Sequence, residues 1–202
     1  MAGYFEPAGG PDGGAAIALD EVEISILRSL ATQLLELIGP DGGVAEGEDP
    51  LDALFAEGPS EPPDDPALAR LFPDAYGEPG KPVDEETRRL SAEFRRFTEG
   101  DLRARKREDL LALVTGLDSI HAEAGAAGAG GAVLTLKPEE SRRWLGALND
   151  LRLAIATRLD ITDDDGTEKL FDLPDDDPNK PMVMAYFWLG GLQESLVETL
   201  LP

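Results

Sequence analysis

Three carboxylates followed by a glycine, Asp163-Asp164-Asp165-Gly166, are the first residues here whose types and spacing suggest chemistry. Clustered acids ahead of a glycine are how an EF-hand calcium loop is built. The pattern fails at two places. With Gly166 at the sixth position, the first position is Ile161 instead of an acid, and Asp172 stands where a bidentate glutamate belongs. Asp163, Asp164 and Asp165 therefore read as a solvated acidic loop, as do Asp175-Asp176-Asp177. His121 is the only histidine, and its Gly/Ala-rich surroundings offer no serine–histidine–aspartate context for a general base. The glycines at 39–43 and 125–131 lack both the GxGxxG spacing and the GKS or GKT ending of a phosphate loop. No nucleophile–base pair and no metal-ligand set can be assembled. The sequence thus points away from an enzyme and implies no cofactor.

The cations are more suggestive. Eight of the 18 basic residues fall in one window: Arg88, Arg89, Arg95, Arg96, Arg103, Arg105, Lys106 and Arg107, against only three acids. Such a strip reads as a docking surface for an acidic partner, or for nucleic acid through Arg103–Arg107. The competing reading is a helix face neutralised by the chain's own 41 acids, and the sequence favours it. Arg152 falls inside an apolar helical stripe, and a guanidinium placed there needs a carboxylate. Glu23 is equally misplaced in its own helix, so a structural Arg152–Glu23 ion pair is expected.

Charge limits the partners further. The formal net charge is −23, with nine acids and one lysine between Asp160 and Asp177. A field of that sign repels phosphate backbones and anionic lipids and attracts basic protein surfaces. Direct DNA binding and membrane association are disfavoured; a protein with a basic surface is the expected partner, with the acidic loop 160–177, including Asp163, Asp164 and Asp165, and the basic strip 88–107 as the candidate contact surfaces. No oligomeric state follows. The chain has no cysteine, which removes disulfides, thiolate metal sites and thiol redox switching. Met1–Ala18 has no basic start and no continuous apolar stretch, so it does not read as a signal peptide. The longest apolar run, Met182–Leu189, is eight residues and too short to span a bilayer. A cytoplasmic location is expected.

The elements that must position these groups are mostly helices. Residues 1–19, rich in Gly, Pro and Ala, read as a flexible lead-in with at most a short strand near 16–19. Residues 20–202 read as a single helical domain with an acidic loop at 160–180. Asp20 and Glu23 form a capping box for a helix over 21–38, with a stripe of Ile26, Leu27, Leu30, Leu34 and Leu37, stopped by Gly39-Pro40. Asp49-Pro50 and Asp65-Pro66 start two short helices, over 51–57 and 67–72. A long helical region spans 84–117. Leu90, Phe94 and Phe97 lie on one side of it, Leu110, Leu113, Val114 and Leu117 on the other; a kink or break is expected near Gly100, the alternative being an unbroken rod whose two ends pack on different neighbours. Residues 121–131 read as a Gly/Ala loop, and 133–136 as a short strand. Trp144, Leu148, Leu151, Ile155 and Leu159 stripe a helix over 138–159. Ala185, Trp188, Leu189, Leu192 and Leu196 stripe a last one over 181–201. Gly190-Gly191 beside Phe187 and Trp188 marks close helix approach. The expected fold is all-α: a bundle of about four main helices plus short ones, with at most one very small β element.

The segments EISILRSLATQLLELIG, DDPALARLFPDAY, EFRRFTEGDLRARK, WLGALNDLRLAIATRLDI and FWLGGLQESLVETLL resemble a small actinobacterial family of domains of unknown function. One branch of that family is the AosR-like oxidative-stress transcriptional regulators. The similarity runs from Glu21 to Leu201. It implies a non-enzymatic, transcription-related role in an actinobacterial cytoplasm, through contact with a sigma factor or RNA polymerase. It also implies a genomic setting near protease-adaptor and cysteine-supply genes, and with it an accessory role in regulated proteolysis as an alternative. The chain departs from a thiol-sensing regulator in one respect: it has no thiol to oxidise.

Overall fold

The computed structural model describes residues 3–9, 13–40, 58–77, 81–127, 132–161, 170 and 172–201. The expected short helix over 51–57 lies outside them. In chain order the elements are β1 (Glu6–Pro7), β2 (Ala15–Leu19), α1 (Glu21–Ile38), α2 (Pro66–Leu71), α3 (Glu85–Ala127), β3 (Ala132–Leu136), α4 (Pro138–Arg158) and α5 (Lys180–Leu200). The fold is mainly helical, with one small antiparallel sheet in the order β1-β2-β3. No helix among the described residues is long and apolar enough to cross a membrane.

The lead-in needs correction. Phe5, Ala15, Ile17 and Leu19 belong to the core. Ala15, Ile17 and Leu19 of β2 point inward in strict alternation, and β3 aligns Leu134 opposite Ile17 and Leu136 opposite Ala15. Phe5 is buried with its ring edge-on to Trp144, centroids 6.1 Å apart. Its N–H donates to Ser195 Oγ of α5 at 3.1 Å. Glycine and proline content suggested a loose segment, but here it shapes a tight return. Gly14 has φ +117°, and a Cβ there would sit 2.1 Å from the Leu136 carbonyl oxygen.

Helix α1 begins as its sequence dictates. Asp20 accepts from the Glu23 N–H at 2.8 Å, and Glu23 accepts from the Asp20 N–H at 2.9 Å. Gly39 closes it with φ +83° and an N–H bonded to the Leu35 carbonyl. The buried stripe is Ile24, Leu27, Ala31, Leu34 and Ile38, rotated from the expected one; Ile26 is 41% exposed. Apolar residues occur around much of this helix, so periodicity alone does not choose the inward face. Asp65 caps α2 through the Ala67 and Leu68 N–H groups.

Helix α3 runs unbroken for 43 residues, roughly 65 Å. Neither the break expected near Gly100 nor the loop expected from His121 forms before Ala127. Gly100 faces open space, so it costs only its propensity, about 1 kcal/mol. Glu99 bonds both Arg95 and Arg103, and its pair with Arg103 spans the glycine. The two halves of the rod face different neighbours. The C-terminal half buries Leu110, Leu113, Leu117 and Ile120 against α1, α4 and β3. The N-terminal half turns Ser91, Arg95 and Glu99 inward and leaves Leu90, Phe94 and Phe97 exposed, the reverse of the expected polarity. Trp144, Leu148, Leu151 and Ile155 of α4 and Leu189, Leu192 and Leu196 of α5 complete the core.

Leu148 lies fully buried among these helices. Leu148→Ala is expected to lower unfolding free energy by about 2–5 kcal/mol in denaturant titrations. Val133→Ala, at an exposed position of β3, should stay within about 0.5 kcal/mol of the parent.

Candidate functional site

The basic strip divides in two. Arg95 is 4% exposed; it donates to Glu99, to the Phe72 carbonyl at 3.0 Å and to Asp74 at 2.9 Å. Arg103 Nε donates to Glu99 at 2.8 Å, while its Nη1 reaches the Ile38 carbonyl at 2.8 Å. Its guanidinium also lies 4.4 Å over the Phe72 ring. Arg107 donates to the carbonyls of Leu35 and Gly39. Helix α1 has no basic residue in its own last turn, so Arg103 and Arg107 supply the positive charge that its C-terminus favours. Lys106 donates to Asp150 at 2.7 Å. Arg88 pairs with Glu85 at the surface, Arg96 bonds Gly58 through its backbone carbonyl, and Arg89 and Arg105 are exposed. Arg105 borders a mixed-charge cleft of about 450 Å³ with Asp101, Glu108, Asp109, Arg142 and Arg143.

Arg152 and Glu23 do not pair. Glu23 is committed to the α1 cap. Arg152 faces α5 instead, donating to Gln193 Oε1 at 2.6 Å with its guanidinium 5.1 Å over the Tyr186 ring. Its Nε is buried without an acceptor beside Gly190. The paired glycines admit side chains here: Arg152 lies against Gly190, and Tyr4 lies against Gly191. Asp163, Asp164 and Asp165 lie outside the described residues. Asp175 and Asp176 are exposed, and Asp177 is half-buried. Among the described residues no cluster of three or more His, Asp or Glu side chains could hold a metal.

Sequence reasoning missed an apolar groove. Ile26 and Leu30 of α1, Ile155 of α4, and Pro181, Met182, Met184, Ala185 and Trp188 of α5 enclose about 650 Å³, with Glu23 the one charged residue lining it. Met184 is 55% exposed, Ile26 41% and Met182 38%. The acidic turn Asp175-Asp176-Asp177 is separated from α5 by two residues, and Asp160 lies two residues after the end of α4. The nearest cations in sequence are engaged: Arg158 with Asp65 at 2.9 Å, and Lys180 with the Leu173 carbonyl at 2.6 Å. The signal in the sequence was Met182 and Met184, apolar residues off the α5 stripe with no assigned neighbour. A second apolar patch, Leu90, Phe94 and Phe97, carries Tyr76 edge-on to Phe94.

Two carboxylates between α3 and α4 are perturbed. Burial pushes Asp150 up, against the opposing pull of Lys106. Burial also pushes Asp109 up; Arg105 and Arg143 oppose this, while Asp150 and Glu108 add to it. A carboxyl raised in the folded state supports stability in full below its unfolded value, about 3.9, and loses that support as pH climbs through the raised value. Asp109→Asn should therefore raise the melting temperature near neutral pH, with the gain vanishing below about pH 4. Arg95→Ala takes from buried Glu99 one of its two guanidinium partners and from the Phe72 carbonyl its donor, and should cost about 3–5 kcal/mol in denaturant titrations. Arg105→Ala should change stability by less than about 0.5 kcal/mol.

The comparisons with known proteins agree with one another. Mycobacterium tuberculosis (strain ATCC 25618 / H37Rv) has a protein named oxidative stress regulator AosR, 30% identical over 186 residues, covering 89% of this chain and 78% of that protein. The Mycobacterium bovis protein of that name matches to the same extent. A Mycobacterium leprae protein given the AosR name is 31% identical over 206 residues, covering 97% of this chain and 86% of its own length. No solved structure matches. Residues 3–200 match the family described as "Domain of unknown function (DUF2017)", and the chain belongs to that family.

Proposed function

We propose that this protein is a non-enzymatic regulator in the response to oxidants, acting by contact with another protein. The regulatory role is carried over from the relatives named oxidative stress regulators. The observation behind the contact is the groove between α1, α4 and α5. It is apolar and open, its one charged lining residue is the carboxylate Glu23, and acidic residues flank its helices α4 and α5 in sequence. An amphipathic helix with an apolar face and flanking lysines or arginines fits both features. Met182 and Met184 suit such a surface, because an unbranched thioether adapts to the partner's side chains. Long-range attraction from a chain of net charge −23 would speed the encounter and make it salt-sensitive. A basic segment of a sigma factor or of RNA polymerase has the required chemistry, and a cytoplasmic setting goes with it.

Direct DNA binding through Arg103–Arg107 has less support. Arg103, Lys106 and Arg107 are engaged with the chain's own carbonyls and carboxylates. Gripping phosphates with them would uncap α1 and leave Asp150 without its cation.

A photo-crosslinking side chain at position 26 of the full chain, in lysate of native cells, tests the proposal, with position 133 as the exposed control. The expected result is one polypeptide joined at position 26 through a basic, amphipathic segment, with yield falling as salt rises from about 0.05 to about 0.5 M. Equal capture at both positions, or none at position 26, rejects the proposal. Adducts between two copies would make the groove a self-association surface, and a salt-resistant gel shift on the promoter would favour DNA.

A further inference from the structure

The groove holds the chain's only side-chain sulfur apart from Met1. The sequence has three methionines and no cysteine, and two of the three are Met182 and Met184. They sit two residues apart near the start of α5, flanking Val183, and both are exposed while Val183 is buried. Both thioethers line the apolar cavity, and no ionisable side chain other than Glu23 shares it.

We propose that Met182 and Met184 are an oxidation site that switches the groove from apolar to polar. The inference rests on the docking function proposed above. The oxidant is a hydroperoxide. A sulfur lone pair attacks the terminal peroxide oxygen, the O–O bond breaks, and an S–O bond forms. The thioether becomes a sulfoxide, and the peroxide leaves as water, or as an alcohol from an organic peroxide. Sulfur loses two electrons and the peroxide gains them, with no net proton released. The product is polar and accepts hydrogen bonds strongly. An apolar helix face laid over it would bury those acceptors unpaired. Methionine sulfoxide reductases reverse the change, so the switch can reset. Cysteine chemistry has no residue here to compete with it. Because both sulfurs are exposed in the folded state, no unfolding is needed to reach them.

The test uses the full chain and a labelled synthetic peptide about 18 residues long, helical, with leucines along one face and lysines at its flanks. Binding is followed by fluorescence anisotropy before and after hydrogen peroxide, and sulfoxides are located by peptide mass mapping. The expected result is binding by the reduced chain, a loss of about tenfold or more once positions 182 and 184 carry oxygen, and recovery after reductase treatment. The double variant Met182→Leu, Met184→Leu keeps the apolar volume and should bind like the parent, with affinity unchanged by peroxide. Unchanged binding by the oxidised parent overturns the inference and leaves the docking function standing. Equal peroxide sensitivity in the double variant does the same. A fall in global melting temperature that accounts for the lost binding also overturns it. Failure of the reduced chain to bind the peptide overturns the docking function itself, and the inference with it.

Discussion

Glu99 sits almost wholly out of water and receives a guanidinium from each side, Arg95 one turn before it and Arg103 one turn after. A carboxylate buried this deeply persists only with such partners. The same two arginines reach beyond their own helix. Arg95 holds the Phe72 carbonyl and Asp74, and Arg103 holds the end of α1 and covers the Phe72 ring. This array therefore fixes three things together: the continuity of α3 across Gly100, the attachment of the segment after α2, and the C-terminal cap of α1. The inverted polarity of α3's first half follows from it. The inner side is occupied by charge, so the aromatic side faces out.

Local chemistry made several elements legible in the sequence. The Asp20–Glu23 box, the Asp65-Pro66 start, the Gly39 stop and the Trp144–Ile155 stripe all form as their residues dictate. Most of the failures have a common cause: a partner far away in sequence. Gly100 is the exception, because the Glu99–Arg103 pair that spans it is local. Residues 3–9 and 13–19 are ordered by β3, Trp144 and Ser195. Arg152 finds Gln193 and Tyr186 because α4 faces α5 there, while Glu23 is already bound to its own cap. The α1 stripe was misplaced by about one residue because a helix apolar on most of its surface gives no local clue to its inward face.

The same distinction explains what was visible of function. Net charge is a sum and needs no fold, so the acidic character was readable from composition alone. The basic strip was equally visible, but its use was not. A row of arginines looks the same whether it faces a duplex or its own helix ends, and only the positions of the Leu35, Ile38 and Gly39 carbonyls distinguish the two. The groove was hidden for a related reason. It is walled by α1, α4 and α5, and none of their separate sequences contains it.

Phe5 meets Ser195 across 190 residues of chain, and β2 pairs with a strand that follows the whole of α3. During synthesis residues 3–19 are thus made long before the segments they pack against. β2 must wait for residues 132–136, and the Phe5 contact must wait for the final helix. Until then Phe5, Ile17 and Leu19 stay without their native neighbours, so this corner of the core closes late.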